Sequence, residues 1–531
     1  MEKPIPARLT ARWRAPQADA LAIAAVVLIG TALVLPRLGA QSLWLDEGLT
    51  VSPAMTATGI ADLVTKVRAV DTQPPASHVL LWALGAVLPH TEFFYRLPSF
   101  VAVEGGIVML YLTSRRLWGS AVALAVAACA QLSPYLCFYA AEARNYGLWF
   151  LFITTSTYLA TRWYEAARAG DRRRAWVVAL ALGVVNGLGM WTHLFHAFVA
   201  AAEAVILAAA IVPSLRRATA AARQRGSGGD RRGDRAGLEP PSVATAGSLV
   251  AAQLVTVVLF APWLVILWRA ARAGTAGVPW TRAFGAASIV YYLFAAHFGA
   301  ALGPSLRTLH SAAFETILAT HWLALTLGGA AIGVTLVAYV LLVAGAVRHR
   351  ERRWELVPLV AWPALSLPAP LAYAALRSFP LHPRHLLFAW PLVPIVLALA
   401  LVRARRTRPA VVAALAVQVV ALVNLLFNGY YAKDDERGAV RFAESRSGAV
   451  AYVLGDVASL YTTRTQGRWK GFLEFPADTD DVWLIDNRTW EEQNQQTRRR
   501  LAARMRAMHM RYSGGRTGFR GIVLRHWTRP R

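Results

Sequence analysis

ALAIAAVVLIGTALVLPRLGAQSLWLDEGLT, residues 20–50, joins a run of hydrocarbon to a pair of adjacent carboxylates. Residues 20–36 carry no charge, and a helix of that length covers most of a bilayer core of about 30 Å. The run has no small-residue cleavage site and further apolar runs follow it, so it reads as a retained membrane helix rather than a removed signal peptide. Asp46 and Glu47 come just beyond its end, where a membrane chain would meet water.

The rest of the sequence agrees with this first reading. Of 531 residues 56% are hydrophobic and 16% charged, with a mean hydropathy of +0.39. That composition excludes an ordinary soluble enzyme. Apolar runs fit to cross a bilayer occur at 20–36, 97–114, 119–133, 146–161, 176–191, 197–213, 247–268, 322–346, 355–375, 386–402 and 409–427. The expected fold is therefore an α-helical polytopic membrane protein of about eleven transmembrane helices. The stretch 288–302 is apolar but short, and is expected to be interfacial or re-entrant.

Basic residues orient the bundle, because Lys and Arg beside spans stay on the cytoplasmic side. With the N-terminus inside, the cytoplasmic loops hold 26 Lys or Arg in 82 residues and the opposite loops 11 in 141. The net charge of +26 is then a topology signal reinforced by anionic lipid, and calls for no nucleic acid. Only four of the 56 basic residues are lysines (3, 66, 433 and 470), a scarcity attributable to an Arg-biased genome. An odd number of spans puts the C-terminus outside. After Asn428 hydropathy falls; strands are expected at Ala449–Leu454 and Val482–Ile485 and an Arg-rich helix at Gln496–Met508. The division expected is a membrane module, 1–428, and a small extracytoplasmic α/β domain, 429–531. Gln224–Pro241 reads as a flexible cytoplasmic loop. Cys129 and Cys137, eight residues apart on one helical run, would lie about 12 Å apart, too far for a disulfide.

The loop after Asp46 and Glu47 hugs the membrane. Ile60, Leu63, Val64 and Val67 repeat at interfacial-helix spacing, DTQPPASH (Asp71 to His78) breaks the chain, and Val79–Leu88 is apolar but too short to span. A carboxylate under such a lid is partly desolvated, which suits it to take a proton from a hydroxyl; the competing reading is a helix N-cap. YAAEARNYG (139–147), WTHLFH (191–196) and FPLHPRHLLF (379–388) fall on the same side of the membrane. One leaflet thus gathers Glu142, Arg144, Tyr146, His193, Arg384 and His385. Taken singly, the arginines also suit lipid phosphates and the histidines an interfacial site. Glu104 and Glu203 lie inside expected spans, where an ionisable residue is a functional candidate by default; both adjoin small residues, and the alternative is pairing within the bundle.

LWLDEG after the first span, D-x-Q-P-P-x-S-H at 71–78, RLPS at 96–99 and YAAEARNY at 139–146 together resemble bacterial membrane glycosyltransferases of the GT-C superfamily. Within it the sequence is most similar to glycosyltransferase family 39, the protein O-mannosyltransferases and the lipid A aminoarabinose transferase. The resemblance covers residues 20–200, reaches loosely to Pro383-Arg384-His385 and Asn428–Ala439, and is weak over 215–370. It implies a polyprenyl-phosphate sugar as donor, an extracytoplasmic acceptor, inversion at the anomeric carbon, Asp46 as general base and Glu142 as a second outer-loop acid. The β-trefoil insertion of the eukaryotic protein O-mannosyltransferases is not found in the sequence, which counts against protein as acceptor; glycan, lipid or protein is left unnamed.

Physical chemistry leads the same way. A lipid phosphate is already a good leaving group, so such an enzyme needs one base and a cationic phosphate site but no carboxylic general acid. The planar fork of Arg suits phosphate, which makes Arg144 and Arg384 the candidates, with His193, His385 and Tyr146 beside them. Glu47 is expected to position the acceptor or to keep Asp46 basic. His78 and Arg96 are expected on the acceptor side, Arg96 also as an anchor of the second span. No spacing matches a dedicated metal site, so no metal or other cofactor is expected. The partners expected are the donor lipid, the bilayer of a plasma (inner) membrane and an unnamed acceptor. A flippase for lipid-linked sugars and a non-catalytic assembly protein remain the alternatives.

Overall fold

Each of the eleven apolar runs is helical over most of its length. The computed structural model describes residues 16–70, 73–225, 243–272, 286–376, 381–446, 448–452, 457, 460–461, 479–487 and 492–530. Asp71, most of the cytoplasmic loop expected at 224–241, and residues 453–454 of the first expected strand lie outside the described residues.

The first span is α1 (Pro16–Val34). Three short helices follow at one end of the bundle: α2 (Leu45–Thr56), α3 (Ile60–Val70) and α4 (Ala76–Gly85). As its spacing predicts, α3 buries Leu63 and Val67 and exposes Ile60. α5 (Glu92–Trp118) begins five residues before its apolar run, which places Arg96 within its first turns. α6 (Ser120–Gln131) and α7 (Pro134–Ala140) are bent by 64° at Leu132–Ser133, where Pro134 cannot donate to the preceding turn. α8 (Tyr146–Arg168), α9 (Arg172–Thr192), α10 (His196–Arg225) and α11 (Val243–Arg272) complete the first half. Because lipid is as apolar as a leucine, membrane helices gain by close approach at small residues. Gly183 of α9 shows this, since a Cβ there would stand 2.5 Å from the Ala252 carbonyl of α11.

α12 (Ala286–Phe298) has 13 residues and a length of about 20 Å, short of a span. α13 (Leu306–Ser311) and the 35-residue α14 (Phe314–Arg348) follow. The run 355–375 passes through a π turn into α15 (Trp362–Ser366) and α16 (Pro368–Leu376). The run 386–402 departs from expectation. Pro391 breaks it, so α17 is confined to Leu392–Arg403 with Pro394 in its first turn, and the preceding segment, opened by Pro383, folds as a turn that carries Arg384 and His385. Irregular backbone at this depth needs burial within protein; Leu387, Phe388 and Trp390 are each at most 1% exposed. α18 (Arg408–Phe427) is the last span. Among the described residues, seven helices or helical stretches are long and apolar enough to cross a membrane, and an eighth if α6 and α7 form one broken span.

Beyond α18, α19 (Glu436–Glu444) and α20 (Glu492–Ala507) cover a sheet of β1 (Ala449–Tyr452), β2 (Asp481–Asn487), β3 (Arg511–Phe519) and β4 (Ile522–Thr528). The order is β1-β2-β4-β3, with β1 parallel to β2 (Ala449 opposite Val482) and the other pairs antiparallel. The strand period of two sends Val482 and Leu484 against Leu501 and Met505 of α20, and Ile485 against Ala439 and Val440 of α19. This is the small α/β domain expected, with the β3–β4 hairpin added to it.

Candidate active site

α2 starts with two acids in its first turn, where the helix dipole favours them. They point different ways. Glu47 is fully buried and reaches back to accept the Trp44 backbone N–H at 3.2 Å, so the capping role considered for this pair falls to Glu47. The same carboxylate accepts from Arg96 Nε at 2.7 Å and Nη2 at 2.8 Å, and from the Ala143 backbone N–H at 2.8 Å. Arg96 gives its remaining N–H groups to the carbonyls of Leu38, Gln41 and Ser42 at 2.7 to 2.8 Å. A guanidinium has five N–H donors, and here all five are taken. Arg96 is thus a latch on the loop 38–47 with no donor left for an acceptor molecule, in contrast to the acceptor-side place expected for it.

Lys433, from the segment after α18, enters the same cluster. Its Nζ lies 3.1 Å from Glu47 and 3.8 Å from Glu142 and donates to the Ala141 carbonyl at 3.2 Å. Burial alone would raise the pKa of Glu47, but Arg96 and Lys433 together with the hydrogen bonds lower it to about 2. Burial raises Glu142 to about 7, and although Lys433 opposes this the carboxylates of Glu47 and Asp46 add to it. Burial also lowers the pKa of Lys433 from its ordinary value. Glu47 is therefore a charge neutralised by two cations, which replaces its expected action as a like-charge neighbour of Asp46.

Asp46 faces the other way and pairs with Arg384 Nη1. One helical turn on, Thr50 Oγ1 accepts from Arg144 Nη1 at 2.7 Å, so α2 presents Asp46 and Thr50, at i and i+4, to the two arginines. Both guanidiniums lie 5.8 Å from the Tyr146 ring centroid. The His193 ring centroid is 6.0 Å from that of Tyr146 and 6.0 Å from that of His385. Burial, then the nearby charges of Arg144 and Arg384, pushes His193 well below the usual histidine value; His385 falls likewise, by burial and Arg384. Both are neutral at pH 7. His193 Nδ1 accepts the Phe195 backbone N–H at 3.2 Å, which leaves the proton on Nε2. That nitrogen is buried with no hydrogen-bond partner among the described residues.

The structure thus brings together Asp46, Glu47, Glu142, Arg144, Tyr146, His193, Arg384 and His385, drawn from segments scattered over the sequence. His78 is buried on α4, which packs against α2. Lys433 is the residue that sequence reasoning missed. The signal was its rarity, a lysine kept where nearly every other cation is arginine. Among the described residues no group of three or more His, Cys, Asp or Glu could hold a metal ion.

Residues 72–222 match the family model described as dolichyl-phosphate-mannose-protein mannosyltransferase. No curated protein matches the chain. The fold is similar to the crystal structure of ArnT from Cupriavidus metallidurans in the apo state, at 14% identity and a TM-score of 0.57, covering 97% of this chain and 98% of that one. An oligosaccharyltransferase from Archaeoglobus fulgidus, in complex with Zn and sulfate, aligns at 10% identity and a TM-score of 0.44 over 88% of this chain and 68% of that one. The chain is a multi-pass membrane protein that shares the fold of that ArnT structure and has a small α/β region at its C-terminal end.

Proposed function

We propose that this protein is an integral-membrane glycosyltransferase that moves a sugar from a polyprenyl-phosphate donor to an extracytoplasmic acceptor, with inversion at the anomeric carbon and Asp46 as general base. The observation that carries the reading is the pairing of Asp46 with Arg384, beside Arg144 and the free Nε2–H of His193. A proton acceptor there stands directly against a set of anion-binding donors. The fold shared with ArnT and the match over 72–222 to a family named for a lipid-phosphate sugar support the same class. The 26 to 11 split of basic residues supports an N-terminus in the cytoplasm of a plasma (inner) membrane, with this site and the C-terminal domain outside.

In the reaction, the acceptor hydroxyl gives its proton to Asp46 Oδ as its oxygen bonds to the anomeric carbon. The bond from that carbon to the bridging phosphate oxygen breaks, and the lipid phosphate leaves with the electron pair. Arg144, Arg384 and His193 hold the charge that develops. Phosphate at Arg384 competes with Asp46 for the guanidinium; a carboxylate relieved of its cation is a stronger base. Donor binding thereby readies the base. Glu142, the second acid, tunes the charge of the same pocket.

The test is single-turnover transfer by detergent-purified protein from a panel of polyprenyl-phosphate sugars. Asp46→Asn keeps the size of the side chain and an oxygen for Arg384 but takes no proton, so transfer should fall about a hundredfold or more with the melting temperature preserved. Transfer within a few-fold of wild type by a folded Asp46→Asn protein would overturn the assignment.

A further inference from the structure

The His193 ring lies flat on the Trp149 indole, with centroids 3.9 Å apart and planes within 7°. The indole is itself held from behind. Trp149 Nε1–H, which can only donate, points to His196 Nδ1 at 3.2 Å. His196 therefore carries its proton on Nε2 and donates to Asn186 Oδ1 at 3.0 Å. The Asn186 amide N–H then donates to Glu203 Oε2 at 3.1 Å, while Ser156 donates to Glu203 Oε1 at 2.8 Å. Every hydrogen bond in the chain has one permitted direction, and all run toward Glu203, a buried carboxylate on the α10 span. Gly189 makes the middle of the chain feasible, because a Cβ there would come within 2.5 Å of His196 Cδ2 and Nε2.

We infer that Glu203 is a positioning residue for the donor phosphate, acting through Asn186, His196 and Trp149 to hold His193 with its Nε2–H turned into the site. The inference rests on the reading above that the lipid phosphate binds at Arg144, Arg384 and His193. The oxygen that Glu203 turns to the Asn186 amide fixes the polarity of the chain, and a buried, fully satisfied polar network permits a single arrangement of its members. Glu203 touches no substrate, and changing it to Leu removes the acceptor that orients the Asn186 amide, whereas Gln still offers its Oε1 to Asn186 with its amide N–H turned to the Ser156 hydroxyl.

The experiment combines the KM for the lipid-phosphate sugar with direct binding of sugar-free polyprenyl phosphate to the full-length protein. Glu203→Leu, Gly189→Ala and His193→Ala are each expected to weaken both about tenfold, the scale of one hydrogen bond to a charged group, while Glu203→Gln, which keeps the acceptor, stays within a few-fold of wild type. In the doubly substituted Glu203→Leu, His193→Ala protein, loss should equal that of His193→Ala alone, because the two changes break one chain. Independent, multiplying losses would overturn the inference, as would wild-type donor binding by Glu203→Leu. If Glu203→Leu fails to fold, Gly189→Ala carries the same cycle with His193→Ala. Normal phosphate binding by both His193→Ala and Arg384→Lys would instead overturn the donor-site reading itself, which separates the two failures.

Discussion

Asp46 and Glu47 are neighbours in sequence with opposite surroundings, because each helical step turns a side chain by about 100°. Sequence placed both carboxylates at the outer end of the first span and made Glu47 an auxiliary of Asp46. Their division became visible only when α5 and the segments after α7, before α17 and after α18 supplied partners from far along the chain. Glu142 shows what such surroundings do. Its carboxyl is raised from an ordinary 4.5 to about 7, so between those values the folded protein holds a proton that the unfolded chain has lost. Stability then declines as pH rises through this window, at up to about 1.4 kcal/mol per pH unit. Glu47 behaves oppositely: lowered to about 2, it contributes stability that is complete above 4.5 and lost only in strong acid. Thermal unfolding of the detergent-solubilised protein from pH 5 to 8 should show the melting temperature falling toward pH 7. Glu142→Gln should flatten that slope, and an unchanged slope in the variant would contradict the assignment.

Among elements, the spans were legible because an apolar run of the right length has few other fates. The turn before α17 was less so, since prolines inside an apolar run do not say whether the run kinks or stops. The hairpin of β3 and β4 escaped because Arg511–Phe519 holds three glycines and two arginines, a poor strand by composition. The segment after α18 escaped for another reason: it looked like the start of a separate domain and is built into the loop 38–47 instead. Lys433 N–H donates to Gln41 Oε1 at 3.0 Å, Arg437 pairs with Glu92 at 2.8 Å, and the Tyr461 hydroxyl donates to Glu92 at 3.0 Å. Lys433→Met should cost on the order of 3 kcal/mol, because it strips a cation from a buried cluster. Lys66→Met, at an exposed i,i+4 pair with Asp62, should cost less than about 0.5 kcal/mol. Denaturant or thermal unfolding of the two variants side by side makes the comparison, and equal losses would show that the cluster is incidental.

At the scale of the whole molecule, the uneven placement of positive charge remains the strongest feature readable without coordinates, and it makes a prediction about sides. A reporter fused after Tyr431 should be active only outside the cytoplasm; activity inside would mean that one span had been miscounted. The short α12 is where such a miscount would arise, and its 13 residues speak against a crossing. The cluster that ties Glu47, Arg96 and Glu142 to Lys433 also imposes an order on synthesis. The two glutamates and the arginine leave the ribosome with the first spans, whereas the ammonium that completes them follows the last. A nascent chain halted after α18 has its membrane helices inserted and still lacks a finished pocket, so insertion and completion of the pocket are separate events in the life of each molecule.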